Sequence, residues 1–364
     1  MRIAILGTRG IPARYGGFET LADELSRRLA ARGHEVTVYC RSHYAGEDAD
    51  PPLPPRVRRI VLPSVRRKYL DTIVHALISS IHAARERYDA VLYCNAITAA
   101  VCWIPRAWSG ARVLLNVDGL ERNRRKWSAV GRAAYLVSER LSCRMPDAVV
   151  ADAEVIRRYY REEFGIEPYL IAYGGDLPAP AGKAALDRLG LSPGGYFLYV
   201  SRLEPENNAL AVVEAYRAAP GELPLVVVGD APYAAGYIAR VKAAADARVL
   251  FPGAIYGEGY RELLFHCRAF VQATEVGGTH PALVEAMGAG RLIAYHDSPE
   301  NREVCGEAGV PFDAHRPETL TAFFSTALNA PERYAVFPER ARGRVEEKYT
   351  WERVSSAYEK ALAG

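Results

Sequence analysis

The sequence lacks the features that mark membrane-spanning, secreted and disulfide-bonded proteins. No apolar run in its 364 residues reaches the roughly 18–20 residues that a spanning helix needs. Residues 1–7 are too short and too quickly polar for a signal peptide, so we interpret them as a first buried strand. The six cysteines are scattered without a close pair, which excludes a disulfide or zinc framework and predicts reduced, buried thiols in a cytoplasmic protein.

Several catalytic signatures are also missing. The chain has no zinc-ligand spacing, no Walker loop and no serine hydrolase elbow. Asp48 and Asp50 have a two-carboxylate spacing that can hold a divalent metal, but they lie between a polar loop and a polyproline run. We interpret them as part of a solvated loop and predict no metal site.

The charge is unevenly distributed along the chain. Residues 1–170 have a balance of +8, and residues 171–364 have a balance of −5. Basic residues cluster at 56–59, 66–69 and 122–127, and the last two clusters each include an aromatic residue. These clusters favour an anionic membrane surface or a phosphate-bearing substrate as partner, and Arg122, Arg125, Lys126 and Trp127 are candidate contacts to membrane or acceptor. A solvated basic face is the alternative; no nucleic-acid-binding motif accompanies the clusters, so we do not predict nucleic acid as a partner.

Strand and helix patterns alternate from one end of the chain to the other. Predicted strands lie at residues 2–6, 35–40, 58–62, 90–94, 112–117 and 148–151, and again at 196–201, 223–228, 249–251, 269–272 and 292–295. Predicted helices include residues 18–32, 208–217, 235–245, 260–266, 281–287 and 338–363. Such alternation predicts an α/β protein with two Rossmann-like domains, whose parallel sheets face each other across a cleft. We place the domains at 1–172 and 173–340, with a C-terminal helix at 341–364 that crosses back to the first domain.

The most informative segment runs from Glu275 to Gly290. An apolar strand leads into Gly277 and Gly278, and the turn continues through Thr279 and His280 into a short helix. Free N–H groups and the helix dipole make such a turn an anion site. Glu285, farther into the helix, would accept hydrogen bonds from sugar hydroxyls, so the segment suggests a nucleotide-sugar site. An ordinary strand-to-helix turn is the alternative.

Four other turns follow predicted strands, where ligands of doubly wound sheets bind. Gly16 and Gly17 precede a helix and suit a phosphate. Asp118 stands at a strand end as a candidate to contact or deprotonate an acceptor hydroxyl, or as a simple turn residue. Arg202 is a candidate diphosphate ligand.

Two further sets of residues in these four turns, Asn207 with Asn208 and the loop that ends at Tyr256, each have two interpretations. Asn207 or Asn208 would contact the ligand or cap the following helix. The loop that ends at Tyr256 would contact a base through its backbone groups, or serve only as a structural loop.

The turns described above, in their order along the chain, resemble those of family 4 glycosyltransferases of the two-domain GT-B architecture. The resemblance covers nearly the whole chain. The turns also resemble a bacterial rhamnosyltransferase-like subgroup. The segments that carry the resemblance are Leu-Gly-Thr-Arg-Gly-Ile-Pro at 6–12, Tyr-Gly-Gly-Phe-Glu at 15–19, Asp-Gly-Leu-Glu at 118–121, Lys-Trp at 126–127, Arg-Leu-Glu-Pro-Glu-Asn-Asn at 202–208, Val-Gly-Gly-Thr at 276–279 and Leu-Val-Glu-Ala-Met at 283–287.

The resemblance implies metal-independent sugar transfer from a nucleotide diphosphate sugar, with retention at the anomeric carbon and no separate cofactor. By similarity, the second domain binds the nucleotide and the first binds the acceptor. Arg202 would contact the diphosphate, Glu285 the ribose, and residues 277–280 the donor sugar and phosphate. Gly16 and Gly17 would face the phosphates. The subgroup favours dTDP-rhamnose as donor; a UDP- or GDP-sugar is the alternative.

Three positions depart from the family pattern. Gly277 stands where many members have Glu, and Glu275 lies two residues away. Asn207 stands where many members have Lys, so Arg9 or Arg14 would have to supply the missing charge. Asp118 stands where many members have His.

The resemblance also implies a setting for the reaction. The acceptor would be a saccharide, lipid-linked, in bacterial surface polysaccharide synthesis, with the enzyme peripheral on the inner face of the membrane. A nucleotide-sugar epimerase and a non-catalytic nucleotide-sugar-binding protein are the alternative hypotheses.

Overall fold

The computed structural model describes residues 1–44, 52–65, 70–120, 122, 124, 127–231 and 233–364. Within these residues the strands are β1 Arg2–Leu6, β2 Glu35–Arg41, β3 Val57–Leu62, β4 Ala90–Cys94, β5 Arg112–Asn116, β6 Ala148–Ala151, β7 Tyr169–Leu170, β8 Phe197–Val200, β9 Leu225–Val228, β10 Val249–Gly253, β11 Ala269–Gln272, β12 Leu292–His296 and β13 Val310–Phe312. The α-helices are α1 Gly17–Ala31, α2 Asp71–Glu86, α3 Trp103–Ser109, α4 Ala129–Ser142, α5 Glu154–Phe164, α6 Ala184–Leu189, α7 Ala209–Ala218, α8 Ala235–Ala244, α9 Gly257–His266, α10 Pro281–Gly288, α11 Pro299–Cys305, α12 Pro317–Asn329, α13 Phe337–Lys348 and α14 Trp351–Ala363.

The chain divides into two compact units. The first unit comprises Met1–Asn123, Trp127–Tyr173 and Trp351–Gly364, and the second comprises Arg124–Lys126 and Gly174–Thr350. The last segment of the first unit begins at Trp351, whereas the sequence analysis starts the returning helix at residue 341. The predicted single helix at 338–363 is wrong in this respect, because α13 ends at Lys348 and a separate helix, α14, follows it.

The first unit contains a parallel sheet of strand order β3-β2-β1-β4-β5-β6-β7. Ile3 pairs with Val36 on one side and with Ala90 on the other. The central strands are runs of buried apolar residues, as expected for parallel strands covered on both faces. The strand order reverses between β1 and β4, so the ligand-binding edge predicted for this unit lies at the ends of these two strands.

The last helix, α14, completes the first unit. Trp351 and Tyr358 are fully buried, and the Tyr358 hydroxyl accepts a hydrogen bond from Nδ2 of Asn116 at 2.7 Å. Arg32, just after α1, forms an ion pair with Glu359 at 2.7 Å. The C-terminal helix is therefore part of the core of the first unit.

The second unit contains a parallel sheet of strand order β10-β9-β8-β11-β12-β13. Its core includes edge-to-face contacts among the rings of Phe197, Tyr216 and Phe324, with ring centroids 4.9–5.9 Å apart. The order reverses between β8 and β11, which are paired from Phe197↔Ala269 onward. The predicted α/β class with two parallel-sheet domains is thus confirmed.

All six cysteines lie in the described residues and carry free thiols, five of them buried, as predicted. In the part of the chain that the structure describes, no helix is long and apolar enough to cross a membrane.

Candidate active site

The loops that follow β8 and β11 lie side by side, because these two strands pair at the point where the strand order reverses. The first loop begins at Ser201, and the second ends at the start of α10. The backbone N–H of Glu275 donates to the carbonyl of Glu206 at 3.0 Å and so ties the two loops together. The residues predicted to bind the diphosphate and the donor sugar are therefore neighbours.

The two asparagines of the first loop hold its shape. Nδ2 of Asn207 donates to the carbonyl of Arg202 at 2.6 Å, and the carbonyl of Asn207 accepts from the Tyr199 hydroxyl at 2.6 Å. Asn208 occupies the N-cap position of α7, yet its side chain forms no capping hydrogen bond. It donates instead to the carbonyl of Ala273 and to Oε1 of Glu275, each at 2.9 Å. The alternative that Asn208 caps the helix through its side chain is therefore wrong.

Glu275 belongs to a polar cluster with His296 and His315. Its Oε1 lies 3.0 Å from Nε2 of His315, and one ligand atom from each of the three residues lies within 4.8 Å of the others. This set has the residue types of a metal site. However, Nδ1 of His296 accepts the N–H of Ala314 at 3.1 Å. A neutral His296 therefore carries its proton on Nε2, which makes that nitrogen a hydrogen-bond donor and disfavours metal ligation.

The turn before α10 is tightly packed. Thr279 is buried, and a Cβ added to Gly277 would overlap the ring of His280. A residue with a side chain fits at position 277 only if His280 moves. This packing gives a physical reason for the departure from the family pattern, since the His280 ring occupies the space beside Gly277.

The start of α10 has a positive environment. Burial of the ring, followed by the charges of Arg124 and Arg202, lowers the pKa of His280 to about 3. The imidazole is therefore neutral at physiological pH, and its buried Nε2 has no hydrogen-bond partner among the described residues. A helix N-terminus adds a further positive partial charge. An anion placed here would meet the part-exposed guanidinium of Arg202 and the N-terminal end of α10. Pro281 has no N–H, and the N–H groups of Leu283 and Val284 donate to the carbonyl of His280, so the free N–H groups expected from the sequence are not all present. Arg124 is buried, and its Nη1 lies 3.8 Å from the buried carboxylate of Glu206.

Arg202 is about one-quarter exposed, so it is accessible from solvent. One of its terminal nitrogens, Nη1, lies 3.6 Å from Oε2 of Glu204. This ion pair holds the guanidinium at the end of β8 and keeps part of it accessible to a ligand. A phosphate would compete with Glu204 for the same nitrogen.

Glu285 is nearly buried on α10, and its Oε2 accepts a hydrogen bond from the Tyr260 hydroxyl at 2.6 Å. Burial and the adjacent carboxylate raise the pKa of Tyr260 well above its usual range, so Tyr260 stays a donor. A Cβ on Gly288 would overlap the carbonyl of Gly175, which brings α10 against the backbone of residues 174–176. The Tyr260 hydroxyl thus orients the Glu285 carboxylate, and the backbone contact positions the helix that bears it.

Tyr256 lies at the carboxyl end of β10, where it is the N-cap residue of α9 and 45% exposed. Strand β9 separates β10 from β8. Two strand spacings amount to roughly 10 Å. Tyr256 is on the same edge of the sheet as Arg202 but is not an immediate neighbour in the strand order.

In the first unit, Gly16 is the N-cap residue of α1 and Gly17 is its first residue. The side chain of Glu19 turns back from the first helical turn, and its Oε1 accepts the N–H of Arg9 at 2.8 Å. The guanidinium of Arg9 lies 3.2 Å from the ring centroid of Tyr15. The long loop that resembles the family is therefore internally braced, with a cation held over an aromatic ring.

Asp118 follows β5 and has a φ of 59°, in the left-handed region. Its N–H donates to Oδ1 of Asn116 at 2.9 Å, which stabilises this turn. Non-glycine residues in this conformation store strain and are common at functional sites. Asp118 is thus a turn residue at the carboxyl end of β5, and its contact with an acceptor hydroxyl stays a prediction.

The predicted acceptor or membrane contacts differ in their surroundings. Arg122 forms an ion pair with Glu139, and its Nη1 donates to the Tyr159 hydroxyl at 2.6 Å. The ring of Trp127 lies 5.0 Å from that of Tyr135. These contacts hold Arg122 and Trp127 within the first unit. Arg125 and Lys126 lie outside the described residues, as do Asp48, Asp50 and the basic cluster at 66–69.

The sequence patterns did not predict Tyr260, His296 and His315 as site residues. Tyr260 lies on α9, His296 ends β12, and His315 lies in the loop between β13 and α12, at no motif-like spacing from Glu275 or Glu285. Asn208 was considered only as a cap or a ligand contact, and its bond to Glu275 has no local sequence signal.

Comparisons with known proteins agree with this geometry. Residues 16–173 match the model of the glycosyl transferase 4-like domain, and residues 190–344 match that of the glycosyl transferases group 1. No curated protein matches the chain in sequence.

Many solved structures share the fold. Sucrose-phosphate synthase from Thermosynechococcus elongatus is 19% identical, with a TM-score of 0.81 over 100% of this chain and 99% of that one. HepE from Anabaena, solved with UDP and glucose, is 16% identical, with a TM-score of 0.78 over 100% and 99%. WaaG, a glycosyltransferase involved in lipopolysaccharide biosynthesis, is 16% identical, with a TM-score of 0.76 over 100% of both chains. With both units matched, the chain belongs to the GT-B glycosyltransferases and joins a 4-like domain to a group 1 domain.

Proposed function

We propose that this enzyme transfers a sugar from a nucleotide diphosphate sugar to a saccharide acceptor, with the donor bound by the second unit. The observation that carries the proposal is the contact between two loops of this unit. The loop after β8 bears the part-exposed Arg202, and the carbonyl of Glu206 in this loop accepts the N–H of Glu275 in the loop that leads into α10, at 3.0 Å. Such a site favours a diphosphate. Glu285 would accept hydrogen bonds from the ribose, and Tyr260 orients its carboxylate for that role.

The mechanism we propose is substrate-assisted and retains the anomeric configuration. The acceptor oxygen bonds to the anomeric carbon on the face from which the diphosphate leaves. The bond from that carbon to the phosphate oxygen breaks, and a phosphate oxygen takes the acceptor's proton. Arg202 and the α10 N-terminus stabilise the negative charge of the leaving group, so the residues themselves supply the charge that metal-dependent transferases draw from a cation. Asp118 of the first unit would contact the acceptor.

Two donors are proposed. The motifs of the first and second loops favour dTDP-rhamnose. HepE, which shares the fold, was solved with UDP and with UDP-glucose, and this favours a UDP-sugar as the second candidate. The two nucleotides differ at the 2′-hydroxyl and the 5-methyl group, so the surroundings of Glu285 would distinguish them.

The acceptor we propose is a lipid-linked saccharide of bacterial surface polysaccharide synthesis, used at the inner face of the membrane. The basic balance of the first half of the chain supports this proposal. The similarity of fold to WaaG agrees with it.

A thermal-shift panel with dTDP, UDP, GDP and NAD tests the donor, because a ligand that binds the folded state raises its apparent stability. A shift with dTDP alone supports rhamnose, and a shift with UDP supports the second candidate. A shift with NAD alone would contradict the proposal. Product analysis with and without a saccharide acceptor then distinguishes transfer from epimerisation.

The variant Arg202→Ala tests whether Arg202 stabilises the diphosphate leaving group. We expect turnover to fall by about 10²–10³-fold, as for the loss of one group that stabilises transition-state charge. Arg333→Ala, an exposed arginine of the second unit, is the matched control and should keep full activity. If Arg202→Ala keeps near-normal turnover and its fold is intact by circular dichroism, the proposal that Arg202 stabilises the diphosphate is wrong.

A further inference from the structure

Helix α4 buries polar residues and exposes apolar ones, the reverse of the usual arrangement. A surface helix of a globular protein normally turns its apolar stripe to the core. In α4 the buried residues are Tyr135, Ser138, Glu139 and Ser142. Its exposed residues include an apolar stripe at helical spacing, namely Val130, Ala133, Ala134 and Val137. Val130 is 80% exposed and Val137 is 53% exposed, so the stripe faces outward without cover from the first unit.

The reversed orientation is fixed by polar contacts on the buried side. Glu139 is 2% exposed and pairs with Arg122, while the Tyr159 hydroxyl donates to its Oε2 at 2.9 Å. Ser128 caps the helix by accepting the N–H of Gly131 at 3.3 Å. Rotating α4 to bury its valines would expose this pair and leave the buried carboxylate without its partners, so the apolar stripe stays outside.

Two neighbouring helices add further exposed apolar residues. Both α2 and α4 pack against the 3-10 helix Ala96–Val101, and α2 also packs against α3. On α3, Trp103 is 45% exposed and Trp108 is 61% exposed. On α2, Ile73 and Leu77 are one turn apart and are 40% and 43% exposed. We call the exposed faces of α2, α3 and α4 the helical surface.

The exposed charges on this surface are mostly positive. On α3 and α4 the exposed charged side chains are Arg106, Arg132 and Arg140, and the acid, Glu139, is buried. On α2, Arg85 is exposed, and the part-exposed Glu86 lies 3.8 Å from Arg2. Arg106 forms an ion pair with Asp147, in which Nε lies 2.9 Å from Oδ1. Exposed valines, tryptophans and arginines together are the composition of a face that lies in the interfacial region of an anionic bilayer.

We propose that the helical surface is the membrane-docking face of this enzyme and that its partner is an anionic lipid bilayer. The proposal rests on the lipid-linked acceptor of the proposed function and deepens it. It also changes the assignment made from sequence, because Arg122, expected to contact membrane or acceptor, pairs with Glu139 on the opposite side of α4. A second copy of the chain fits less well. A two-fold interface through this face would bring Arg132 and Arg140 of both copies together.

Vesicle co-sedimentation of the full chain tests the proposal. Vesicles of phosphatidylcholine alone are compared with vesicles containing phosphatidylglycerol, at low and high salt. We expect salt-sensitive binding to the anionic vesicles only. Val130→Ser with Val137→Ser should weaken it by about tenfold or more, since both side chains are lost from the apolar face. Arg132→Gln with Arg140→Gln should weaken it by about tenfold and reduce the salt dependence.

The control variants are Tyr233→Ser and Arg333→Gln, two exposed positions of the second unit, and they should bind vesicles as the wild type does. Nucleotide binding, measured on the same variants, should be unchanged throughout. A variant that loses vesicle binding but retains nucleotide binding therefore has a defect in the helical surface and an intact donor site. Absence of vesicle binding by the wild type would overturn the proposal. So would a dimer in sedimentation equilibrium that the valine variants abolish, because the second copy would then be the partner.

Discussion

Tyr260 shows how a single hydroxyl can position a binding group. Its hydroxyl donates to Oε2 of Glu285 at 2.6 Å, within a nearly buried environment. Tyr260→Phe leaves the ring in place and removes this hydrogen bond. We expect nucleotide affinity to fall by about tenfold, since a hydrogen bond to a charged group contributes about 1.5–3 kcal/mol. Isothermal titration calorimetry with the nucleotide identified by the thermal-shift panel measures the change.

Tyr196→Phe is the matched control. It removes an equally short bond, from the Tyr196 hydroxyl to the carbonyl of Leu263 at 2.7 Å in the same unit, but no carboxylate is involved. It should lower the stability of the fold and leave nucleotide affinity unchanged. Equal losses of affinity in both variants would show that Tyr260 acts only through general stability.

Gly277 and His280 are coupled by lack of space. Because a Cβ at position 277 would overlap the His280 ring, Gly277→Ala should destabilise the protein by about 1–3 kcal/mol. Combined with His280→Ala, the same substitution should cost at least ~1 kcal/mol less, since the obstructing ring is gone. Urea unfolding of the wild type, both single variants and the double variant gives this coupling energy. Additive effects would mean that the two positions do not compete for space.

At the scale of elements, the contact between β2 and α2 predicts a response to pH. His75 of α2 is fully buried, and its Nε2 donates to the carbonyl of Cys40 at 3.2 Å. Burial, followed by the charge of Arg41, lowers the pKa of His75 to about 4. Histidine in the unfolded chain titrates near 6.5. The neutral folded form is therefore favoured above pH ~6.5, and this contribution is lost as the pH falls towards ~4.

Between pH ~6.5 and pH ~4 we expect the free energy of unfolding to fall by about 3 kcal/mol, because a shifted pKa makes stability depend on pH. His75→Gln retains an amide donor and cannot titrate, so its stability should depend less on pH in that window. Denaturant unfolding of wild type and variant at pH 7 and pH 4.5 makes the comparison, in which the other histidines contribute equally. The same pH dependence in both proteins would contradict a buried neutral His75.

The elements that sequence predicted well are those with a strong local pattern. Strands β1 and β4 are continuous apolar runs, and their predicted bounds agree with the structure. Strand β7 was missed because it has only two residues, both exposed. Strand β13 was missed because Pro311 interrupts its pattern.

The same distinction applies to the candidate site. The β11–α10 turn was recognisable because its glycines and helix start are consecutive in the chain. The contacts that support it were not, since Tyr260, Asn208 and His315 come from separate elements. Local propensity carries no information on such long-range contacts, which the pairing of β8 with β11 creates.

At the scale of the whole molecule, the two units depend differently on the C-terminus. Because Trp351 and Tyr358 are buried in the first unit, truncation after Thr350 should destabilise that unit by several kcal/mol, roughly the sum of two large-to-small core changes. The second unit keeps all of its strands and α13, so nucleotide binding should survive. Limited proteolysis and calorimetric titration of the truncated chain measure the two effects separately.

A full-length Tyr358→Phe variant is the control for this truncation. It loses only the hydrogen bond from Asn116, and its cost should be about 1 kcal/mol. Loss of nucleotide binding in the truncated chain would show that the second unit also needs α14.

The placement of α14 also affects the order in which the two units can complete their folds during synthesis. Residues 174–350 leave the ribosome before the helix that completes the first unit. At roughly 5–20 residues per second, synthesis of residues 351–364 takes about 1–3 s. During that interval the second unit has its full set of strands, while the first still presents the apolar surface that Trp351 and Tyr358 later cover. We therefore expect the first unit, which holds the N-terminal residues, to complete its core after the second unit.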